Sequence, residues 1–215
     1  MEAGGTSCTK GTENNQRTLT AAQDAGNTAG IWLPTLLVNG AIHHPKYIAD
    51  YWDNTGGAKG AVFTNMPEGM QLIAGDSHAT QPVPEYELYW NCSTGATPGI
   101  PSSVTPPKTC PAGGPGLEAH IRLPTCWDGV GLKPSDVTYA GAPPFTTSAK
   151  DFPCPAGDKT FTEVQLVLHT GLYSSAGISF SSGALATLHA DYWQSWKNQS
   201  LLANLQTYLR TGAFA

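Results

Sequence analysis

The chain reads as a mainly β protein, an antiparallel β-sandwich or jelly roll with long loops and a C-terminal helix. Three observations predict it. Short apolar runs are punctuated by Gly and Pro throughout, with 24 Gly and 17 Pro in 215 residues. Charged residues make up only 13%, too few for the solvated faces of a helical bundle or coiled coil. One segment alone carries a convincing helical stripe. The six Trp, eight Tyr and six Phe supply bulk for a core and argue against disorder.

The strand candidates follow in order. Ile31-Trp32-Leu33-Pro34-Thr35-Leu36-Leu37-Val38 is closed by Asn39-Gly40, a strong hairpin signal, and Pro34 restricts it to an edge or bulged strand. Ala61 to Thr64, Met70 to Ala74 and Tyr86 to Cys92 come next. Leu117 to Leu123 alternates, with Leu117, Ala119, Ile121 and Leu123 on one face and Glu118, His120 and Arg122 on the other. Phe161 to His169 is the longest, and Ile178 to Phe180 and Ala186 to Ala190 complete the set. His43-His44 before Pro45 reads as an exposed loop.

Leu201, Leu202, Leu205, Tyr208 and Leu209 recur with helical period. Asn198 or Ser200 can cap the start, and Arg210 and Gly212 suit the end, which predicts a helix over about 198–211. Nothing marks a linker, so 1–215 is expected to be one domain, with about 1–28 a loop-rich N-terminal segment.

A net charge of −5 with 11 scattered basic residues leaves no electrostatic footprint for nucleic acid. No apolar run reaches the ~20 residues that span a bilayer. The five cysteines, Cys8, Cys92, Cys110, Cys126 and Cys154, contain no Cys-x-x-Cys pair, so zinc-ribbon and thioredoxin spacings are absent. Well-separated cysteines in loop-rich surroundings point to disulfides in an exported protein. Pro98, Pro101, Pro106 and Pro107 lie between Cys92 and Cys110, a stretch that gains most from a covalent clip. The expected bridges are Cys92–Cys110 and Cys126–Cys154, with Cys8 left over. The rival reading is five free thiols in a cytosolic protein. The start, Met1-Glu2-Ala3-Gly4, carries neither the basic nor the apolar region of a signal peptide, so the expectation is a mature or trimmed form.

Two Asp/His pairs share one spacing, Asp76-Ser77-His78 and His189-Ala190-Asp191. In a strand, residues two apart point to one face. Each pair can therefore set a carboxylate beside an imidazole, as a general acid/base pair or as ligands of a divalent metal. The plainer alternatives are a solvated loop for Asp76/His78 and a hydrogen-bonded structural pair for His189/Asp191. The second pair runs into Tyr192, Trp193 and Trp196. Cys126-Trp127-Asp128-Gly129 presents a carboxylate beside an aromatic plate, the surface a sugar ring needs; a core Trp with Asp128 capping its own turn is the competing account. Glu85 and Glu87 alternate with Tyr86, Leu88 and Trp90, either as paired carboxylates or as the solvent face of a strand. Gly-x-Ser-x-Gly, Walker A, Rossmann and His-Glu-x-x-His motifs do not occur.

Several motifs then appear in series: Gly4-Gly5-Thr6-Ser7-Cys8, Ile31-Trp32-Leu33-Pro34-Thr35-Leu36, and Pro67 to Thr80 with its Gly75-Asp76-Ser77-His78. Trp90-Asn91-Cys92, Leu123-Pro124-Thr125-Cys126-Trp127-Asp128-Gly129 and Leu188-His189-Ala190-Asp191-Tyr192-Trp193 follow. This series resembles the domain of unknown function nineteen-ninety-six, a family of secreted fungal and actinobacterial proteins, with the bacterial branch closer. The resemblance runs from about Gly4 to about Leu205. It implies export and a polysaccharide or cell-wall neighbourhood, since some members are joined to sugar-binding modules. Relatives usually carry a His-x-His segment upstream of this start and an Asp-His-Lys-Ser-His run after Cys-Trp-Asp-Gly. Here Ser135-Asp136 passes directly to Val137. Relatives also tend to carry a cysteine where this chain has Leu205 to Leu209, which makes Cys8 half of a bridge whose partner is lost.

The expected function is a secreted, carbohydrate-associated protein hydrolysing polysaccharide with Asp191 and His189. Asp128 is the expected second carboxylate, and Trp127, Trp193 and Tyr192 the expected substrate-binding plates. The alternatives are a non-catalytic glycan-binding or wall-associated module, and a metal-dependent enzyme of another class using His189, His78 and Asp191, with Asp76 beside His78. The expected partner is a polysaccharide or cell-wall glycan, with no nucleic acid or membrane, and the expected state is a monomer.

Overall fold

A computed structural model describes residues 27–53, 64–93, 103–138 and 154–211. Gly4 to Cys8 and Ala61 to Phe63 lie outside them. The described chain is mainly β, with antiparallel sheets and one C-terminal helix.

The Ile31–Val38 run does not form one strand. It splits into β1 (Gly30–Trp32) and β2 (Leu36–Val38), which belong to different sheets. Pro34 lies between them with no amide to donate, so the ladder ends there. Asn39 and Gly40 both take positive φ, at 51° and 79°, and turn β2 into β3 (Ala41–Ile42), with Val38 opposite Ala41. That is the predicted two-residue hairpin.

The sequence reading missed β4 (Tyr47–Asp53). Its core-facing row is Ile48, Asp50 and Trp52, and a central Asp hides the alternation. Asp50 is accommodated there because its Oδ2 accepts from Trp52 Nε1 at 3.2 Å and Asn27 Nδ2 at 3.0 Å. His43 is also more than an exposed loop residue, since its Nε2 lies 3.0 Å from the Thr170 carbonyl oxygen.

β5 (Gln71–Gly75), β6 (Leu88–Ser93) and β7 (Gly116–Arg122) fall where alternation placed them. β8 (Cys126–Trp127), β9 (Val137–Thr138) and β10 (Lys159–Thr160) form a small sheet in the order β10-β8-β9. β11 (Glu163–His169) joins the largest sheet, ordered β4-β11-β7-β6, and β12 (Ile178–Phe180) pairs with β2. Leu185–Thr187 is a 3-10 turn, so the last strand, β13 (His189–Trp193), starts later than Ala186. It is the central strand of a sheet ordered β1-β13-β5. Among the described residues the strands of these sheets pair antiparallel throughout.

One buried cluster draws on all the larger sheets: Trp90, Leu117, Ile121 and Leu166 from the four-stranded one, Leu72, Ala74 and Tyr192 from the β13 sheet, and Phe180 from β12. Truncating a fully buried ring such as Trp90 to Ala would cost on the order of 3–5 kcal/mol. The helix α1 (Gln199–Thr211) opens with Asn198 Oδ1 accepting from the Leu201 amide at 2.9 Å, the expected cap. Its buried stripe is Leu202 and Gln206, while Leu201 and Tyr208 stay exposed.

Both expected bridges form, Cys92–Cys110 and Cys126–Cys154, with Cα–Cα distances of 5.5 and 5.4 Å. No helix among the described residues is long and apolar enough to cross a membrane.

Candidate functional site

The strongest of the predicted clusters sits on the outer face of the β1-β13-β5 sheet. Along β13, Ala190 and Tyr192 point into the core, and His189, Asp191 and Trp193 point outward. Side chains directly opposite in an antiparallel ladder share a face. Register therefore sets Trp32 on one side of Asp191 and Ile73 on the other. Gln71 lies beside Trp193, and Gly75 lies beside His189. The Trp32 and His189 rings stand 5.1 Å apart, tilted by 42°.

Backbone groups tune this pair. His189 Nδ1 lies 2.8 Å from the Thr187 carbonyl oxygen. A carbonyl can only accept, so this contact places a proton on Nδ1. Burial pushes the Asp191 carboxyl above its ordinary range, and the adjacent His189 opposes the shift only in part. A carboxyl held above its ordinary range by burial thus stands two residues from an imidazole engaged by backbone at Nδ1, residue types suited to proton donation and acceptance. Gly75 makes the close approach possible. Its φ is +82°, and a Cβ there would run into the Leu188 carbonyl oxygen and lie 2.7 Å from His189 Cα. Its amide donates to Glu87 Oε1 at 2.5 Å.

Other predicted residues are placed elsewhere. Asp128 does not join the pair as a second carboxylate: its Oδ1 accepts from the amides of Val130 and Gly131 at 2.8 and 2.9 Å, capping its own turn. That turn belongs to a loop docked on the edge of β5, where the Gln71 amide donates to Leu132 O at 2.9 Å. Trp127 is a core ring, only 8% exposed. Its Nε1 donates to Gly131 O, and Lys159 Nζ sits 5.3 Å from the ring centroid. Tyr192, at 1% exposure, is likewise core and meets Trp52 edge to face. Neither ring can serve as a sugar plate. The indole that the structure sets beside Asp191 is Trp32, and its position in a short strand entering Pro34 was the available signal.

Asp76 and His78 form an exposed turn after β5, with Asp76 Oδ1 accepting from the His78 amide at 2.8 Å. Asp76 directly follows Gly75, the register partner of His189, but among the described residues no group of three or more His, Cys, Asp or Glu is placed to hold a metal ion. Glu85 and Glu87 fall in the turn preceding β6, not on a strand face.

Sequence reasoning also passed over a second constellation, on the outer face of the β4-β11-β7-β6 sheet. Glu118, 4% exposed, sits between two imidazoles. Its Oε1 lies 2.6 Å from His169 Nδ1 and its Oε2 3.5 Å from His120 Nε2. The first contact has ion-pair distance but lies off the ideal hydrogen-bond line. The Glu118/His120 alternation was legible, but the sequence did not show that β11 would lay His169 opposite Glu118.

The fold and bridges define a disulfide-stapled, mainly β protein with a carboxyl and an imidazole on the outer side of one sheet. Residues 3–196 match the family described as "Domain of unknown function (DUF1996)", and the chain belongs to that family. No curated protein matches the chain, and no solved structure does.

Proposed function

We infer that the protein is a secreted, carbohydrate-associated protein that hydrolyses polysaccharide at the Asp191/His189 face. The observation that carries this reading is the pairing of a burial-raised carboxyl with an imidazole engaged by backbone at Nδ1, between Trp32 and Trp193. The two bridges are of the kind that persist in oxidising compartments.

In the proposed reaction the sugar ring rests between the indoles. The Asp191 carboxyl gives its proton to the glycosidic oxygen as that bond to the anomeric carbon breaks. His189 Nε2 takes a proton from the water that bonds to the same carbon. Residues two apart on a strand stand about 7 Å from each other, within the separation that leaves room for a water in inverting glycosidases.

The non-catalytic alternative has its own support, because Asp128 is engaged in its turn and supplies no second carboxylate. A reducing-sugar assay on a panel of polysaccharides decides between the two. Asp191→Ala should abolish product release, and unchanged glycan turnover in that variant rules out the catalytic role.

A further inference from the structure

The outer face of the four-stranded sheet is unusual for a solvated surface. Glu118 is almost fully buried there, and a buried carboxylate is costly unless it is compensated. Two imidazoles meet it, and each in turn carries a tyrosine. The Tyr47 ring stacks on His169 at 4.1 Å, and the Tyr89 ring lies nearly parallel to His120 at 4.5 Å and 7°. Another carboxylate of the face, Glu163, is held by Arg122 Nε and Nη2 at 2.6 and 2.5 Å. Gln165 Nε2 donates to the Tyr89 hydroxyl at 3.2 Å.

Two consequences follow. The Arg122 guanidinium is taken up by Glu163 and the two imidazoles flank Glu118, so Arg122 is not free to recruit an acidic ligand. Tyr47 and Tyr51 are nevertheless half in solvent, at 50% and 51% exposure. They project from the same side of the edge strand β4, opposite His169 and Gln165, and four residues of strand set them about 13 Å apart. Rigid phenol plates with amide and hydroxyl groups beside them suit the CH faces and hydroxyls of sugars.

We propose that this face is a second carbohydrate-binding surface, on which an uncharged polysaccharide chain lies across Tyr47 and Tyr51, with Glu118 and His169 as positioning residues for the Tyr47 plate. It shares the carbohydrate context of the Asp191 reading but does not depend on catalysis. The two surfaces lie on different sheets, so one would hold the chain while the other acts on it.

The test is affinity electrophoresis of the whole protein through gels containing hydroxyethyl cellulose, xylan, mannan or polygalacturonate, with reducing-end release measured separately. The wild type should be retarded by at least one of the three uncharged polymers. Tyr47→Ala and Tyr51→Ala should each weaken the apparent association about threefold to tenfold, the range expected for losing one aromatic contact. Tyr47→Phe, which keeps the ring, should retain retardation, as should Tyr208→Ala, an exposed tyrosine on α1. The proposal is overturned if the wild type runs unretarded in all gels, if polygalacturonate alone retards it, or if both Ala variants match the wild type. Retardation without reducing ends would sink the hydrolytic reading and leave this surface standing; reducing ends with retardation indifferent to both tyrosines would do the reverse.

Discussion

Removing the Cys92–Cys110 bridge gives the most quantitative check on how this fold is held. The bridge closes a loop with a sequence separation of 18 and ties the end of β6 to a segment whose Cys110 amide donates to Tyr173 O. In the chain-entropy picture, a loop of that length restrains the unfolded chain by about 3 kcal/mol at room temperature. For a protein of this size, one kcal/mol moves the melting temperature by roughly 2–4 °C. Cys92→Ala with Cys110→Ala should therefore lower Tm by roughly 6–12 °C in non-reducing buffer. Thermal unfolding followed by near-UV circular dichroism, with urea midpoints alongside, reads this directly. The Cys126–Cys154 bridge has a separation of 28 and contributes about 3.6 kcal/mol on the same basis. Together the two approach the whole stability of an ordinary domain, about 5–15 kcal/mol, so full reduction should leave the fold marginal. A Tm change under about 2 °C in the double variant would refute loop closure as the source of the stabilisation.

Two further outcomes follow from the β13 sheet. Because burial raises the Asp191 carboxyl above its ordinary 3.8, the folded chain keeps a proton there that the unfolded chain has lost. Stability should then fall as pH climbs from that ordinary value through the raised one; Asp191→Asn should flatten this segment and unfold at higher urea near neutral pH, and a parallel pH profile in both proteins would contradict the burial argument. Gly75→Ala combines a positive φ with collision against Leu188 and His189, so it should cost at least about 2 kcal/mol; a wild-type urea midpoint would mean that Gly75 and His189 are not register partners.

How much of this could be read from residues alone depended on where the polar groups point. β7 was legible because Leu117, Ala119 and Ile121 alternate without interruption. β4 was not, because Asp50 stands in its core-facing row and is matched by Asn27 and the Trp52 indole, contacts that exist in the fold and not in the chain order. His189 and Asp191 share a face because a spacing of two fixes a common side on any strand. The same rule, applied to Leu188, Ala190 and Tyr192, would have sent Tyr192 to the core. Trp127 failed as a plate because a two-residue strand has no periodicity to say which side is solvent. The Glu118–His169 contact was out of reach for a different reason: cross-strand register decides it, and no local pattern announces that register.

Glu87 ties these surfaces together mechanically. Its side chain holds the Gly75 amide on β5, and its carbonyl accepts the Arg122 amide at the end of β7. A single residue is thus fastened to the register partner of His189 and to the strand that carries Glu118, His120 and Arg122. The two sheets are thereby fastened to each other at this turn, and neither Gly75 nor the end of β7 can change register without breaking a hydrogen bond to Glu87.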